Sequence, residues 1–168
     1  MKLILIAGKA QSGKTTLANV LKEKYLKIGK KVIITEYSKY VKMFAKDILG
    51  WDGKEPKPRK FLQDMGDYVR NNYNDIFFVK RMKEDLNIYS NYADVVIISD
   101  VRMPKEIIKM KKYNPLKIKV VSDEVNDLTK EEQNHYTEHA LDNFKNFDYV
   151  INKDEILKVS DEIIERSN

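Results

Sequence analysis

The chain has 168 residues, with 31 Lys and Arg against 26 Asp and Glu, a net charge of +5 and an apolar fraction of 42%. That length suits one domain with a substantial core, and the lack of cysteine excludes disulfides and thiolate metal sites. No apolar run is long enough to span a bilayer, and no basic run with interleaved aromatics marks a nucleic-acid face, so neither membrane nor nucleic acid is an expected partner.

The first predicted element is the apolar run Leu3–Ala7, which leads directly into a glycine-bearing loop and so reads as a core strand rather than a signal peptide. A cytoplasmic location is expected. Gly8-Lys9-Ala10-Gln11-Ser12-Gly13-Lys14-Thr15 fits G-x-x-x-x-G-K-[ST], the phosphate-binding loop. A strand delivers the chain to a tight turn, and a helix starts where the turn ends. Successive N–H groups then form an anion-binding concavity, and the helix adds its positive end to it. Lys14 can reach the β- and γ-phosphates, and the Thr15 hydroxyl can hold Mg²⁺. Leu17, Leu21, Tyr25 and Ile28 recur near helical spacing, and Gly29 reads as the stop.

Val32–Thr35 is β-branched and reads as a second buried strand, followed by a helical segment to Leu49. The Gly- and Pro-rich stretch 50–58 is a loop. Arg59–Asn71 and Ile76–Asn87 read as helices with apolar faces. Val95–Ile98 is a third strand, ending in Ser99-Asp100, and Pro104 suits the first position of the next helix. Leu116–Val121 alternates as a fourth strand, the polar stretch 122–144 reads as surface helix and loop, and Tyr149–Ile151 is a fifth strand. A final helix begins near Asp154, with Ile156, Val159, Ile163 and Ile164 at helical spacing. Strands alternating with helices predict an α/β fold, a three-layer arrangement with a five-stranded, mainly parallel sheet and helices on both faces. Ligands in such sheets bind beyond the carboxyl ends of the strands.

Asp100, at the end of a strand beside a phosphate loop, suits a Mg²⁺-bound water or the positioning of an attacking group; the plainer alternative is an Asp that caps a turn. Arg102 follows two residues later and can aim a planar guanidinium at the same cleft, unless it pairs with Glu106 on the surface. Arginine is scarce, and Arg59 and Arg70 flank one predicted helix, as an acceptor carrying a phosphate would require. His135 and His139 stand at i, i+4, but the acid between them is in the wrong place for H-E-x-x-H and no third ligand is evident, so zinc is not expected. Asn152-Lys153-Asp154 is one residue too short for a guanine-reading N-K-x-D, which argues against a GTPase.

These motifs resemble the phage-type deoxynucleoside monophosphate kinases, within the class of P-loop nucleoside monophosphate kinases. The family's G-K-x-x-S-G-K-[DT]-T is matched from Gly8 to Thr16, and its R-x-x-L-Q-x-x-G-x-x-x-R by Arg59 to Arg70. Its S-D-V-R-x-P-x-E is matched by Ser99 to Glu106, and its H-x-[ST]-E by His135 to Glu138. The resemblance implies transfer of the γ-phosphoryl of ATP to a deoxynucleoside monophosphate, with Mg²⁺ at Thr15 and Asp100. It implies a single domain over 1–168, with an acceptor-binding helical segment at about 37–90 and a small helical lid at about 122–143. Lys14, Asp100 and Arg102 would then carry catalysis. Gly8, Ala10, Gln11, Ser12, Gly13, Lys14, Thr15 and Thr16 would bind the donor phosphates, with Asn152 and Lys153 near its adenine. Ser38, Lys42, Arg59, Gln63, Arg70, Arg102 and Glu138 would meet the acceptor, and a homodimer is compatible with such a kinase. The lid carries no arginine, so Lys130, Arg102 or Arg81 would have to stabilise the transferring group. A kinase of another phosphorylated metabolite, phosphomevalonate-like, or a non-catalytic ATP-binding regulatory protein are the alternatives.

Overall fold

The computed structural model describes residues 1–122 and 128–166, so part of the expected lid, 123–127, lies outside the described residues. Strands β1 (Lys2–Ala7), β2 (Val32–Thr35), β3 (Val95–Val101), β4 (Leu116–Val121) and β5 (Tyr149–Asn152) form one sheet in the order β2-β3-β1-β4-β5. Every pairing is parallel. The central strands β1 and β3 are buried on both faces, which is why they read as unbroken apolar runs. In β4 only Ile118 and Val120 are fully buried, so its sequence alternates.

Successive residues of the central strands feed opposite cores. Ile4, Ile6, Val95 and Ile97 pack with α1 (Lys14–Lys27) and α8 (Ile156–Glu165) through Leu17, Leu21, Tyr25, Val159 and Ile163. Leu3, Leu5, Val96 and Ile98 face the other layer. There α2 (Lys39–Leu49), α3 (Arg59–Asn72), α4 (Phe77–Tyr89) and α5 (Pro104–Ile108) supply Val41, Val69, Met82, Leu86 and Ile107. Two short helices, α6 (Lys130–Asn134) and α7 (Tyr136–His139), lie between β4 and β5. The predicted three-layer architecture is therefore the observed one.

One difference bears on function. Asp100 does not follow β3 but lies within it, because the strand runs on to Val101 and pairs with Ala7. Leu5 faces Ile98 and Ala7 faces Val101, so β3 carries one extra residue across that step. Such an irregularity re-aims side chains at a sheet edge. It falls where the parallel strands end together, beside the turn after β1.

Candidate functional site

The turn after β1 has the backbone that its sequence predicts. Gly8 has φ +147°, and a Cβ there would stand 2.4 Å from the Val120 carbonyl oxygen. Gly13 has φ +100° and stands at the N-cap of α1 with no side-chain cap, which leaves the first amides of a long helix free. Lys14 is buried, and its ammonium donates to the Lys9 carbonyl oxygen within the loop. Burial, reinforced by the Arg102 guanidinium, lowers the Lys14 pKa to about 7.

A cavity of about 340 Å³ opens in front of this turn. Ala10, Gln11, Lys14 and Thr15 form its floor, with Ser38, Lys42, Asp100 and Arg102 from the strand ends around it. Arg59, Gln63 and Arg70 line it from α3, and Glu138 closes it from α7. A second cavity of about 260 Å³ is lined by Gln11–Thr16 and Lys153. Ser12, Gly13 and Thr16 face this one, while Gly8 shapes the loop from beneath. Asn152 lines neither cavity; its N–H donates to the Glu155 carboxylate at 2.7 Å, and the residue is exposed.

The contacts of Asp100 combine both sequence readings. Its carboxylate accepts from the Tyr37 N–H at 2.7 Å and the Ser38 N–H at 2.9 Å, holding the turn between β2 and α2. It also lines the cavity with Thr15. Each carboxylate oxygen keeps a second lone pair, so Thr15 and Asp100 remain a hard-oxygen pair of the kind Mg²⁺ takes beside phosphates and waters. Among the described residues no group of three or more His, Cys, Asp and Glu could hold a metal ion. His135 instead meets Asp67 at 3.1 Å and Thr137 at 2.8 Å, and His139 meets Asp142 and the Gln133 carbonyl, each at 3.0 Å.

The Arg102 guanidinium does not pair with Glu106, which instead takes the Arg102 backbone N–H. The guanidinium pairs with Glu138, whose side chain is only 8% exposed and whose other oxygen accepts from the Ala10 N–H at 2.8 Å. A carboxylate thus occupies an amide and a guanidinium at the loop's mouth, the donor pair that a phosphate oxygen would use. This is the observation on which a phosphate ligand fits the site. The Glu106 carboxylate is buried and accepts from the N–H groups of Arg102 at 2.7 Å and Met103 at 3.0 Å. Burial raises its pKa to about 7, against the opposing pull of those two bonds.

The wall opposite the loop is held by polar side chains. Asp67 of α3 accepts from Arg70 at 3.2 Å and Tyr136 at 3.0 Å besides meeting His135. Gln63 donates to the Glu132 carbonyl at 3.4 Å, and Lys60 pairs with Glu131 at 2.9 Å. Arg70 also stacks over the Phe78 ring at 5.2 Å. Of the three cations considered for the transferring group, only Arg102 lines the cavity. Arg81 pairs with Glu84 and lies over Tyr40, and Lys130 opens α6 on the surface. The lining residues outside the predicted site include Glu36, Lys57 and His135. The rule that ligands gather past strand ends pointed to Glu36, and the H-x-[ST]-E match contained His135; nothing local marked Lys57.

A phosphate loop at the carboxyl edge of a parallel sheet in this order, facing a cavity rich in cations, defines a P-loop kinase. Among solved structures, the tunicamycin resistance protein of Deinococcus radiodurans is similar over 99% of this chain and 95% of its own, at 13% identity and TM-score 0.56. An APS kinase of Mycobacterium tuberculosis in complex with AMPPNP and APS is similar over 98% and 95%, at 13% identity and TM-score 0.53. Shikimate kinase from Acinetobacter baumannii is similar over 99% and 93%, at 12% identity and TM-score 0.52. At these identities the likeness shows the fold. Among curated proteins no relative matches by sequence. The model of the deoxynucleotide monophosphate kinase family matches residues 30–163, beginning beyond the phosphate loop. The chain belongs to that family and is an ATP-dependent phosphotransferase acting on a nucleotide or small metabolite. No helix among the described residues is long and apolar enough to cross a membrane.

Proposed function

We propose that this kinase moves the γ-phosphoryl group of ATP onto a deoxynucleoside monophosphate, giving ADP and the deoxynucleoside diphosphate. One observation carries the reading: a single cavity joins Lys14 and Thr15 of the phosphate loop to Arg59, Gln63, Arg70 and Arg102. These are residues of the sequence elements through which the chain resembles deoxynucleoside monophosphate kinases.

In this reading an oxygen of the acceptor's phosphate attacks the γ-phosphorus. The bond from that phosphorus to the β,γ-bridging oxygen breaks, and ADP leaves with the electron pair. The reaction needs little covalent help from the protein, so positioning and charge do most of the catalysis. Lys14 gives up its loop carbonyl and holds the β- and γ-phosphates. Arg102 exchanges the Glu138 carboxylate for phosphate oxygens. Arg59 and Arg70 hold the acceptor, with Ser38, Lys42 and Gln63 around it, and the α6–α7 segment serves as the lid. Thr15 and Asp100 would hold Mg²⁺, which supplies charge neutralisation across the β- and γ-phosphates when bound.

The test is ADP release from magnesium-complexed ATP, measured with and without dAMP, dGMP, dCMP and dTMP, alongside ribonucleotides and other phosphorylated metabolites. At least one deoxynucleotide should accelerate release about a hundredfold or more over water. Acceleration by another phosphorylated metabolite, with none by any deoxynucleotide, would transfer the assignment to that acceptor.

A further inference from the structure

We infer that Lys57 is a ligand of the acceptor's phosphate, acting beside Arg59. The inference rests on the proposed kinase reading and adds a residue to the acceptor site.

The cations that line the cavity differ in how they are engaged. Lys42 pairs with Glu36, Arg102 with Glu138, Arg70 with Asp67, and Lys14 with the Lys9 carbonyl. Lys57 and Arg59 line the same cavity, and among the described residues neither enters an ion pair within 4.0 Å, unlike Lys42, Arg70 and Arg102. Both are partly buried. Half-buried cations that repel one another and make no contact ion pair are costly to keep, and a bound dianion relieves that cost. Burial, with the neighbouring Lys42 and Arg59 charges, also holds the Lys57 ammonium below the ordinary lysine range. Glu36 and Asp100 act on it in the opposite sense, and Lys57 in turn acts on Lys14. Lys57 lines the same cavity as Lys14 of the phosphate loop and Glu36 and Ser38 after β2.

The backbone supports a fixed presentation. Lys57 lies between Pro56 and Pro58, each of which fixes its own φ and restricts the residue before it. Its N–H donates to the Glu55 carboxylate at 2.7 Å, and its carbonyl accepts from the Arg59 N–H at 2.8 Å. Lys57 and Arg59 therefore reach the cavity from one stiff segment at the start of α3. A pair of cations so placed matches a terminal phosphate, which offers oxygens to both.

The experiment is steady-state kinetics of the wild type, Lys57→Gln and Lys57→Arg, using magnesium-complexed ATP and whichever of the four deoxynucleotides accelerates ADP release most. Thermal melting checks that each variant is folded. The expected result for Lys57→Gln is an acceptor KM raised about tenfold or more, with the Kd for ATP within about twofold of wild type and most of the loss restored in Lys57→Arg. An unchanged acceptor KM in folded Lys57→Gln overturns the inference while the kinase reading stands. A fall in kcat alone also overturns it, because the ammonium would then serve the transferring group. If the wild type itself shows no deoxynucleotide-stimulated ADP release, the kinase reading has failed and the inference falls with it.

Discussion

The two walls of the cavity are held by different forces. On the loop side, β1 is buried in the middle of the sheet, Gly8 is pressed against the Val120 carbonyl, and α1 packs against α8. The loop's binding groups are mainly backbone amides, set by covalent geometry and a dry core. On the opposite wall, α3 meets α6 and α7 through Asp67, Tyr136, His135, Lys60 and Glu131, several of them well exposed. Exposed ion pairs contribute about 1 kcal/mol or less each. The difference teaches that, in the proposed reading, the donor side is built before any ligand arrives, whereas the acceptor side is a set of weak polar contacts that ligand charge can rearrange.

The strongest way to break this comparison is to remove the charge on the rigid side. Lys14→Ala should lower turnover by at least about a hundredfold with the melting temperature and helical content retained. Near-normal turnover would show that the loop does not carry the reaction.

The joint between the walls comes next. Glu106→Ala leaves the Arg102 and Met103 amides without their buried acceptor and should cost about 3 kcal/mol in a urea titration. Glu106→Gln keeps an acceptor oxygen and should be milder. The two variants also test the pH dependence. The folded-state pKa of Glu106, about 7, lies above its ordinary value of 4.5, so folding favours the protonated form. That contribution is full below pH 4.5 and is lost as the pH rises through about 7. Wild-type stability should therefore fall between about pH 4.5 and 7, by up to about 3 kcal/mol from this group, and Glu106→Gln should lack that fall. Parallel stability profiles for the two proteins would contradict it.

A smaller effect sharpens the donor side. Lys14 has its pKa lowered to about 7 by burial and Arg102, with Glu138 and Asp100 pulling upward and Lys57 downward. Bound phosphates favour the ammonium, so above pH 7 nucleotide binding must take up a proton. Affinity for magnesium-complexed ATP should weaken by up to about tenfold per pH unit from 7.5 towards 9. Calorimetry in two buffers of different ionisation enthalpy should register the proton uptake.

The smallest effect belongs to the polar wall. Asp67→Ala removes the common partner of Arg70, Tyr136 and His135 and should cost about 1 kcal/mol of stability at most. It should raise the acceptor KM about threefold to fivefold while leaving the Kd for ATP unchanged. An equal weakening of both substrates would mean that the walls are not independent.

How legible each wall was follows from the same contrast. The strand, the loop and the helix from Leu3 to Ile28 are local in sequence, and every element of the phosphate site could be read from residue order and glycine placement. Arg59, Gln63 and Arg70 were legible as positions: at i, i+4 and i+11 they share one face of α3. That this face turns towards the cavity was not, because spacing states an angle about a helix and not what the helix packs against. The end of β3 was misplaced because its last residues are strand only through pairing with Ala7.

Residue order alone settled the alternation of strand and helix, the parallel sheet that follows from it, and a turn of amides and a lysine suited to polyphosphate, because each depends on neighbours within a few residues. The tertiary structure alone decided that Glu138 reaches the Ala10 amide across 128 positions and that Asp100 ties down the turn at Tyr37 and Ser38. It also decided that Lys57 faces the cavity from a proline-bound loop. Side chains far apart in the chain meet only after burial of the two cores has fixed the sheet order. Their charges are then set by a degree of desolvation that no local pattern records.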